Sequence, residues 1–130
     1  MIKMLKLNKW FVIILSSIVL LSCSSKKNVS GTVYKKKAHA SYYADKFNGR
    51  KTASGERFSN RKLTAAHRKL AFGTKLKVTN VANKKWVLVT VNDRGPFIKS
   101  RDIDLSKEAF MQITDNKNHG VLTVTIEIIK

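Results

Sequence analysis

The sequence predicts a small all-β domain closed into a barrel, and three observations carry that expectation. Segments 75–80, 85–92 and 122–129 alternate apolar and polar residues and are rich in β-branched side chains, the pattern of half-buried strands. A helical pattern occupies only one short stretch, 104–112. A domain this small, built of short strands and Gly-bearing loops, avoids open sheet edges by closing on itself. In chain order, 39–44 reads as a first strand. In 75–80 Leu76 and Val78 share a face; in 85–92 Val87, Val89 and Val91 oppose Trp86, Leu88 and Thr90. Asn83-Lys84 fits the turn of a hairpin between these two. Within 104–112, Ser106 or Asp104 can cap the first turn, and Leu105, Ala109 and Met111 supply an apolar side. Leu122, Val124, Ile126 and Ile128 then alternate with Thr123, Thr125, Glu127 and Ile129. A barrel of this size is packed solid, so a ligand site has to lie in a surface groove.

The chain has 130 residues, 26 Lys+Arg against 8 Asp+Glu and a formal net charge of +18. That length supports one small domain, and the charge points to an anionic partner. The single Cys excludes an internal disulfide and the Cys-rich kinds of structural zinc site. Lys3, Lys6 and Lys9 precede an apolar run, 10–21, shorter than the ~20 residues of a spanning helix and within the roughly 7–15 of a signal-peptide core. Leu20-Leu21-Ser22-Cys23 resembles the bacterial lipobox, which implies that 1–22 is a cleaved lipoprotein signal peptide and that Cys23 is lipidated. Ser24 in place of Asp favours the outer membrane, facing the periplasm, where the cell has two membranes, and the cell membrane otherwise. Segment 23–37 is basic and has no apolar period, and reads as a flexible lipidated tether. The folded domain is then 38–130. Export removes nucleic acid as the anionic partner, and no nucleic-acid-binding motif is present; cell-wall polymers and membrane surfaces are the anions left. The sequence carries no sign of oligomerisation, so a monomer is expected.

Three segments concentrate chemistry. In Thr52-Ala53-Ser54-Gly55-Glu56-Arg57-Phe58, Gly55 can adopt positive φ and project Glu56 from a bend into a groove; the plainer reading is a solvated carboxylate offsetting Arg57. In 63–74, His67 is either a hydrogen-bonding structural residue or a group that orients a carboxylate or moves a proton. In 91–97, Asp93 ends a strand with apolar neighbours, the position that offers the desolvation a general acid needs. Asp104 reads as a helix cap before it reads as chemistry.

Taken together, Ala40-Ser41-Tyr42-Tyr43, 49–56, Leu63-Thr64-Ala65-Ala66-His67, Phe72-Gly73-Thr74, Val91-Asn92-Asp93-Arg94-Gly95-Pro96-Phe97 and Ile103-Asp104-Leu105-Ser106 resemble the rare lipoprotein A (RlpA) family in order and spacing. The resemblance implies a six-stranded double-psi β-barrel, shared with expansins and barwins, with one or two short helices. It implies an endolytic lytic transglycosylase acting on naked peptidoglycan strands. Such an enzyme breaks the β-1,4 bond between N-acetylmuramic acid and N-acetylglucosamine and leaves 1,6-anhydro ends. The family's functional acids and histidine fall on Glu56, His67 and Asp93, and Asp104 matches its Asp-Leu-Ser element. The C-terminal SPOR domain of many relatives has no counterpart here, so substrate capture is expected to fall to the barrel. On this reading Asp93 is the general acid; Glu56 is the alternative acid or the second carboxylate, and the two assignments can be exchanged. His67 orients one of them or bonds a sugar. Arg94 neutralises Asp104, or else holds a muramic lactyl carboxylate. One of Tyr42 and Tyr43 stacks on a sugar in the groove while the other packs inward. No metal or organic cofactor is called for. The rival reading is a non-catalytic, expansin-like wall-binding lipoprotein.

Overall fold

The alternating segments become strands whose apolar faces meet inside a closed barrel. In the computed structural model, which describes residues 27–130, the strands are β1 (Thr32–Tyr42), β2 (Thr64–Ala66), β3 (Lys75–Asn80), β4 (Trp86–Asp93), β5 (Ile103–Leu105) and β6 (Leu122–Ile129). A 3-10 turn follows β1 at Asp45–Phe47, and one helix, α1 (Lys107–Ile113), precedes β6. The expected signal peptide and Cys23 lie outside the described residues. Around the barrel the order is β1-β5-β2-β4-β3-β6. The β1–β5 and β2–β4 pairs are parallel and the other pairs antiparallel.

Period two decides what is inside. Val87, Val89 and Val91 of β4 are buried, as are Leu76 and Val78 of β3 and Val124 and Ile126 of β6. They enclose the core with Ile103 and Leu105 of β5, and Phe110 and Ile113 of α1 cover one side. The β3–β4 hairpin turns at the expected place, with Thr79 opposite Trp86 and Lys84 at φ 64°. Its turn also anchors the helix. Asn80 Nδ2 and Asn83 Nδ2 donate to the Ile113 carbonyl at 2.8 and 2.9 Å, satisfying an oxygen that the helix end leaves without a partner.

Two boundaries differ from the sequence reading. The first strand, expected over 39–44, begins at Thr32, so residues 32–37 of the expected tether belong to β1 and pair with β6 from Thr32↔Ile128 onward. Composition hid them because residues 32–37 are all exposed, and with neither face buried no alternation is needed. The register shifts between Val33 and Ala38, and Lys37 takes φ 53°. These bulges let an irregular lysine-rich run follow a regular partner. The expected helix at 104–112 starts three residues late: Asp104 and Leu105 lie in β5, and Ser106 is the N-cap, its hydroxyl accepting from Ala109 N–H at 3.3 Å. With that start the buried face is Ala109, Phe110 and Ile113 rather than Leu105, Ala109 and Met111. Strand β2 was not anticipated, since three consecutive buried residues show no period at all.

Gly31 sets the entry to β1. A Cβ there would stand 2.4 Å from the Ile128 carbonyl oxygen and 2.7 Å from Ile129 Cδ1, so only glycine lets the two backbones approach. Gly31→Ala should therefore loosen the start of β1 and speed tryptic cleavage at Lys35, Lys36 and Lys37 relative to cleavage in the barrel. Unchanged trypsin resistance there would mean that Thr32 onward is held by other means.

Candidate active site

Strand β4 ends on Asp93, and both oxygens of its carboxyl group accept hydrogen bonds. Tyr43 Oη–H donates to Oδ2 at 2.6 Å; Ala53 N–H and Arg94 N–H each donate to Oδ1 at 2.9 Å. These donors come from three places: the end of β1, the loop 52–58 and the chain just beyond β4. The Asp93 carbonyl also takes the His67 N–H at 3.1 Å, so the residue after β2 is tied to the same point.

The loop that brings Ala53 also carries Glu56. It is a tight turn, with Gly55 N–H donating to Thr52 O at 3.0 Å and Thr52 N–H to Glu56 O at 2.7 Å. Gly55 sits at φ 92°, the left-handed region that glycine enters without strain, as the sequence suggested. Ser54 N–H donates to the Asn92 carbonyl at 3.2 Å, and the buried Asn92 offers its amide to Glu56 Oε2 at 3.4 Å. Consecutive residues of β4 thus hold the loop and its carboxylate, which draws Glu56 and Asp93 to one end of the barrel. Glu56 is exposed, and its Oε1 has no partner among the described residues.

Tyr43 connects this end to a surface groove. Its ring packs on Phe58 at 4.3 Å and edge-on to Phe47 at 5.7 Å between centroids. Burial first, then the hydrogen bond to Asp93 and the negative charges of Asp93 and Asp104, hold its hydroxyl far above the ordinary phenol range. It remains a neutral donor to Asp93. The groove, about 380 Å³, is lined by Tyr42, Tyr43, Ala44, Phe47, Pro96, Phe97, Ile98, Arg101 and Asp104. Both tyrosines line it. Tyr42 also packs inward on Phe110 at 4.6 Å, and Tyr43 is committed to Asp93. The expected division of labour, one ring for a sugar and one for the core, is therefore replaced by two half-buried rings in the groove wall. The freest aromatic among the described residues is Phe97, 90% exposed, beside Ile98 at 52%. In the sequence its signal is an apolar pair, Phe97-Ile98, directly after the Gly95-Pro96 strand end and outside any alternating segment.

The other expected residues fall as follows. Asp104 is not a helix cap; it sits in β5 opposite Ser41 of β1, whose hydroxyl donates to Asp104 Oδ1, and it lines the groove. Arg94 makes no ion pair with Asp104. Its Nη1 donates to the carbonyls of His67 at 3.2 Å and Leu70 at 2.7 Å and the guanidinium lies 4.0 Å over the Phe72 ring, contacts that turn it to the protein's own backbone. The buried His67 does not turn its ring to either carboxylate. Its Nδ1 accepts the N–H groups of Lys69 and Leu70 at 3.0 and 3.1 Å, and the ring meets Tyr34 edge-on at 5.3 Å. It shapes the turn 67–70, whose carbonyls in turn hold Arg94.

Burial, with the positive charges of Arg68 and Arg94, pushes the His67 imidazole below its ordinary 6.5, against the opposing pull of Asp102. The unfolded chain therefore takes up a proton here that the native chain refuses, so stability should fall as pH drops through about 6.5. Asp45 and Asp115 lie below the ordinary carboxylate value through hydrogen bonds from Asn60 and Lys107 and from Lys85 and Asn83 respectively. On Asp102, burial is outweighed by the hydrogen bonds and charges of Lys35 and His39. All three destabilise only in more acid solution. His67→Asn keeps an acceptor for the turn and removes the titration. Its denaturation midpoint should change less between neutral and mildly acid pH than that of the parent; equal slopes would mean that His67 is not the titrating group.

Comparison with known proteins adds sequence and fold. A family model described as Lytic transglycolase matches residues 35–126. Over 97 residues the chain is 50% identical to a protein of Treponema pallidum (strain Nichols) named probable endolytic peptidoglycan transglycosylase RlpA, covering 75% of this chain and 30% of that one. Over 90 residues it is 50% identical to the endolytic peptidoglycan transglycosylase RlpA of Campylobacter jejuni, covering 69% and 32%. The chain spans about a third of the length of these relatives. Among solved structures, apo-expansin of Clavibacter michiganensis aligns with a TM-score of 0.56 at 25% identity, covering 72% of this chain and 49% of that one. The Streptomyces papain inhibitor aligns at 0.59 with 20% identity, covering 75% and 97%, a likeness of fold alone.

Proposed function

The chain belongs to the lytic transglycolase family of double-psi β-barrel domains, and on that premise we propose that it is an endolytic peptidoglycan transglycosylase. Its substrate is the naked glycan strand, cut at the β-1,4 bond between N-acetylmuramic acid and N-acetylglucosamine. The observation that carries the reading is the clasp at the end of β4, where Asp93 receives Ala53 of the loop that presents Glu56, beside an aromatic groove. A wall-binding surface alone has no need of two carboxylates gathered in so basic a protein.

The reaction requires a proton on the departing glycosidic oxygen while positive charge develops at the muramic C1. The sequence reading gave the proton to Asp93. The hydrogen-bond directions favour the exchange of roles. Asp93 is surrounded by three donors, so it serves best as the fixed carboxylate that stabilises charge at C1. Glu56, with an oxygen that no described group engages, is the better placed acid. In the balanced step, the muramic C6 hydroxyl oxygen bonds to C1 as the C1–O4 bond breaks. Glu56 gives its proton to the departing O4 of N-acetylglucosamine, and the C6 hydroxyl proton restores the acid. No water is consumed and a 1,6-anhydro ring remains. Tyr43 holds Asp93 in place, and His67 acts through the turn that anchors Arg94. The enzyme works in the cell envelope as a monomer, anchored through lipid on Cys23.

Incubation with amidase-treated glycan strands, followed by mass spectrometry, tests this. Anhydro-ended products are expected. Glu56→Gln and Asp93→Asn should each lower their rate by at least about tenfold to a hundredfold, and Tyr43→Phe, which removes one hydrogen bond to a charged group, by about tenfold or more. Binding without products would replace the reading with the expansin-like one, and products carrying an added water would make the protein a hydrolase.

A further inference from the structure

We infer that Arg101 is the specificity residue of the groove, recognising the free lactyl carboxylate that a muramic residue exposes once its stem peptide has been removed. The inference rests on the proposed glycan substrate and names the group on it that the barrel reads.

Arg101 lines the groove together with Phe97, Asp104 and the two tyrosines. Its backbone is pinned: its N–H donates to Ile98 O at 3.1 Å, and Arg68 Nη2 donates both to the Arg101 carbonyl and, at 2.8 Å, to Ile98 O. Its guanidinium, by contrast, donates to no group among the described residues. Neither neighbouring acid forms an ion pair with it. Asp102 is taken by Lys35 Nζ at 2.6 Å and by the His39 N–H at 2.8 Å, and Asp104 accepts the Ser41 hydroxyl. The guanidinium of a half-buried residue, held on a fixed loop in a groove and donating to no described group, is prepared for a planar anion, and a carboxylate fits it with two parallel hydrogen bonds.

The groove also dictates where on the glycan that anion sits. Phe97 offers an exposed apolar face to a sugar ring, so the carboxylate belongs on a substituent of a ring lying against it. In a naked strand of alternating N-acetylmuramic acid and N-acetylglucosamine the lactyl group is the only such substituent. With a stem peptide attached, that carboxylate is an amide and presents no charge. The same contact therefore selects peptide-free strands. Arg94, the residue first expected to hold this group, is occupied by two carbonyls and an aromatic ring.

The experiment compares two soluble preparations of the same peptide-free strands, one with free lactyl carboxylates and one in which they have been converted to methylamides. Affinity for each is measured on the full chain in a Glu56→Gln background that leaves strands uncut, and cleavage is measured without that substitution. The free-carboxylate strand should bind about tenfold or more tightly, with the ratio shrinking as salt is raised. Arg101→Gln should bring the ratio close to one, and Arg101→Lys should keep part of it, which separates loss of charge from loss of structure. An unchanged ratio in Arg101→Gln, or equal binding of both strands by the parent, would overturn the inference. Failure of the transglycosylase reading looks different: an Arg101-dependent binding ratio with no anhydro product from either strand.

Discussion

The carboxyl group of Asp93 is the point on which the site is built. It ends a strand whose alternate residues Val87, Val89 and Val91 are fixed in the core, and it collects donors from the end of β1, from the loop 52–58 and from its own successor. Hydrogen bonds to an ionised acceptor are stronger than those between neutral groups, so one side chain fixes the relative position of segments that the sheet alone does not join. Without it, Tyr43 would be a half-buried phenol lacking its acceptor, and the loop carrying Glu56 would keep only its local turn and its contacts with Asn92.

The barrel supplies the rigidity that such a clasp requires. Parallel pairing of β2 with β4 and of β1 with β5 sets the ends of strands far apart in sequence next to each other, which places His67, Asp93, Tyr43 and Asp104 in one region. Register does the rest: Ser41 faces Asp104 across β1 and β5, and Tyr42 faces Leu105. The polar residues one step beyond the apolar runs therefore line the surface, while the runs themselves fill the interior. His67 and Arg94 belong to this support. An imidazole accepting two N–H groups and a guanidinium donating to two carbonyls stiffen the turn after β2 and, through Arg94, the chain just beyond Asp93.

How much of this could be read from the residues follows from what each element buries. Strands β3, β4 and β6 were legible because one face of each is in the core and the other in water, and period two is the trace of that asymmetry. Strand β2 is buried throughout and the start of β1 is exposed throughout, so neither alternates. The helix boundary slipped because Asp104 and Ser106 are equally good caps by residue type, and only the pairing of Asp104 with Ser41 across two strands decides between them. At the site, the turn at Gly55 and the strand end at Asp93 were visible as local chemistry. Their junction was not, since Ala53 contributes a backbone N–H that leaves no mark on the sequence. Arg94 and Arg101 look alike as letters, and what separates them is that one guanidinium donates to two backbone carbonyls and the other donates to no group among the described residues.

The most direct test of the clasp is amide hydrogen exchange at residue 53. If the Asp93 carboxylate holds the loop, Asp93→Ala should accelerate exchange at Ala53 by at least about tenfold, the loss of one charge-assisted hydrogen bond, while amides within β3 and β6 keep their protection. Unchanged protection at Ala53 in that variant would mean that the loop is held without Asp93 and that the two carboxylates are neighbours by accident of the turn.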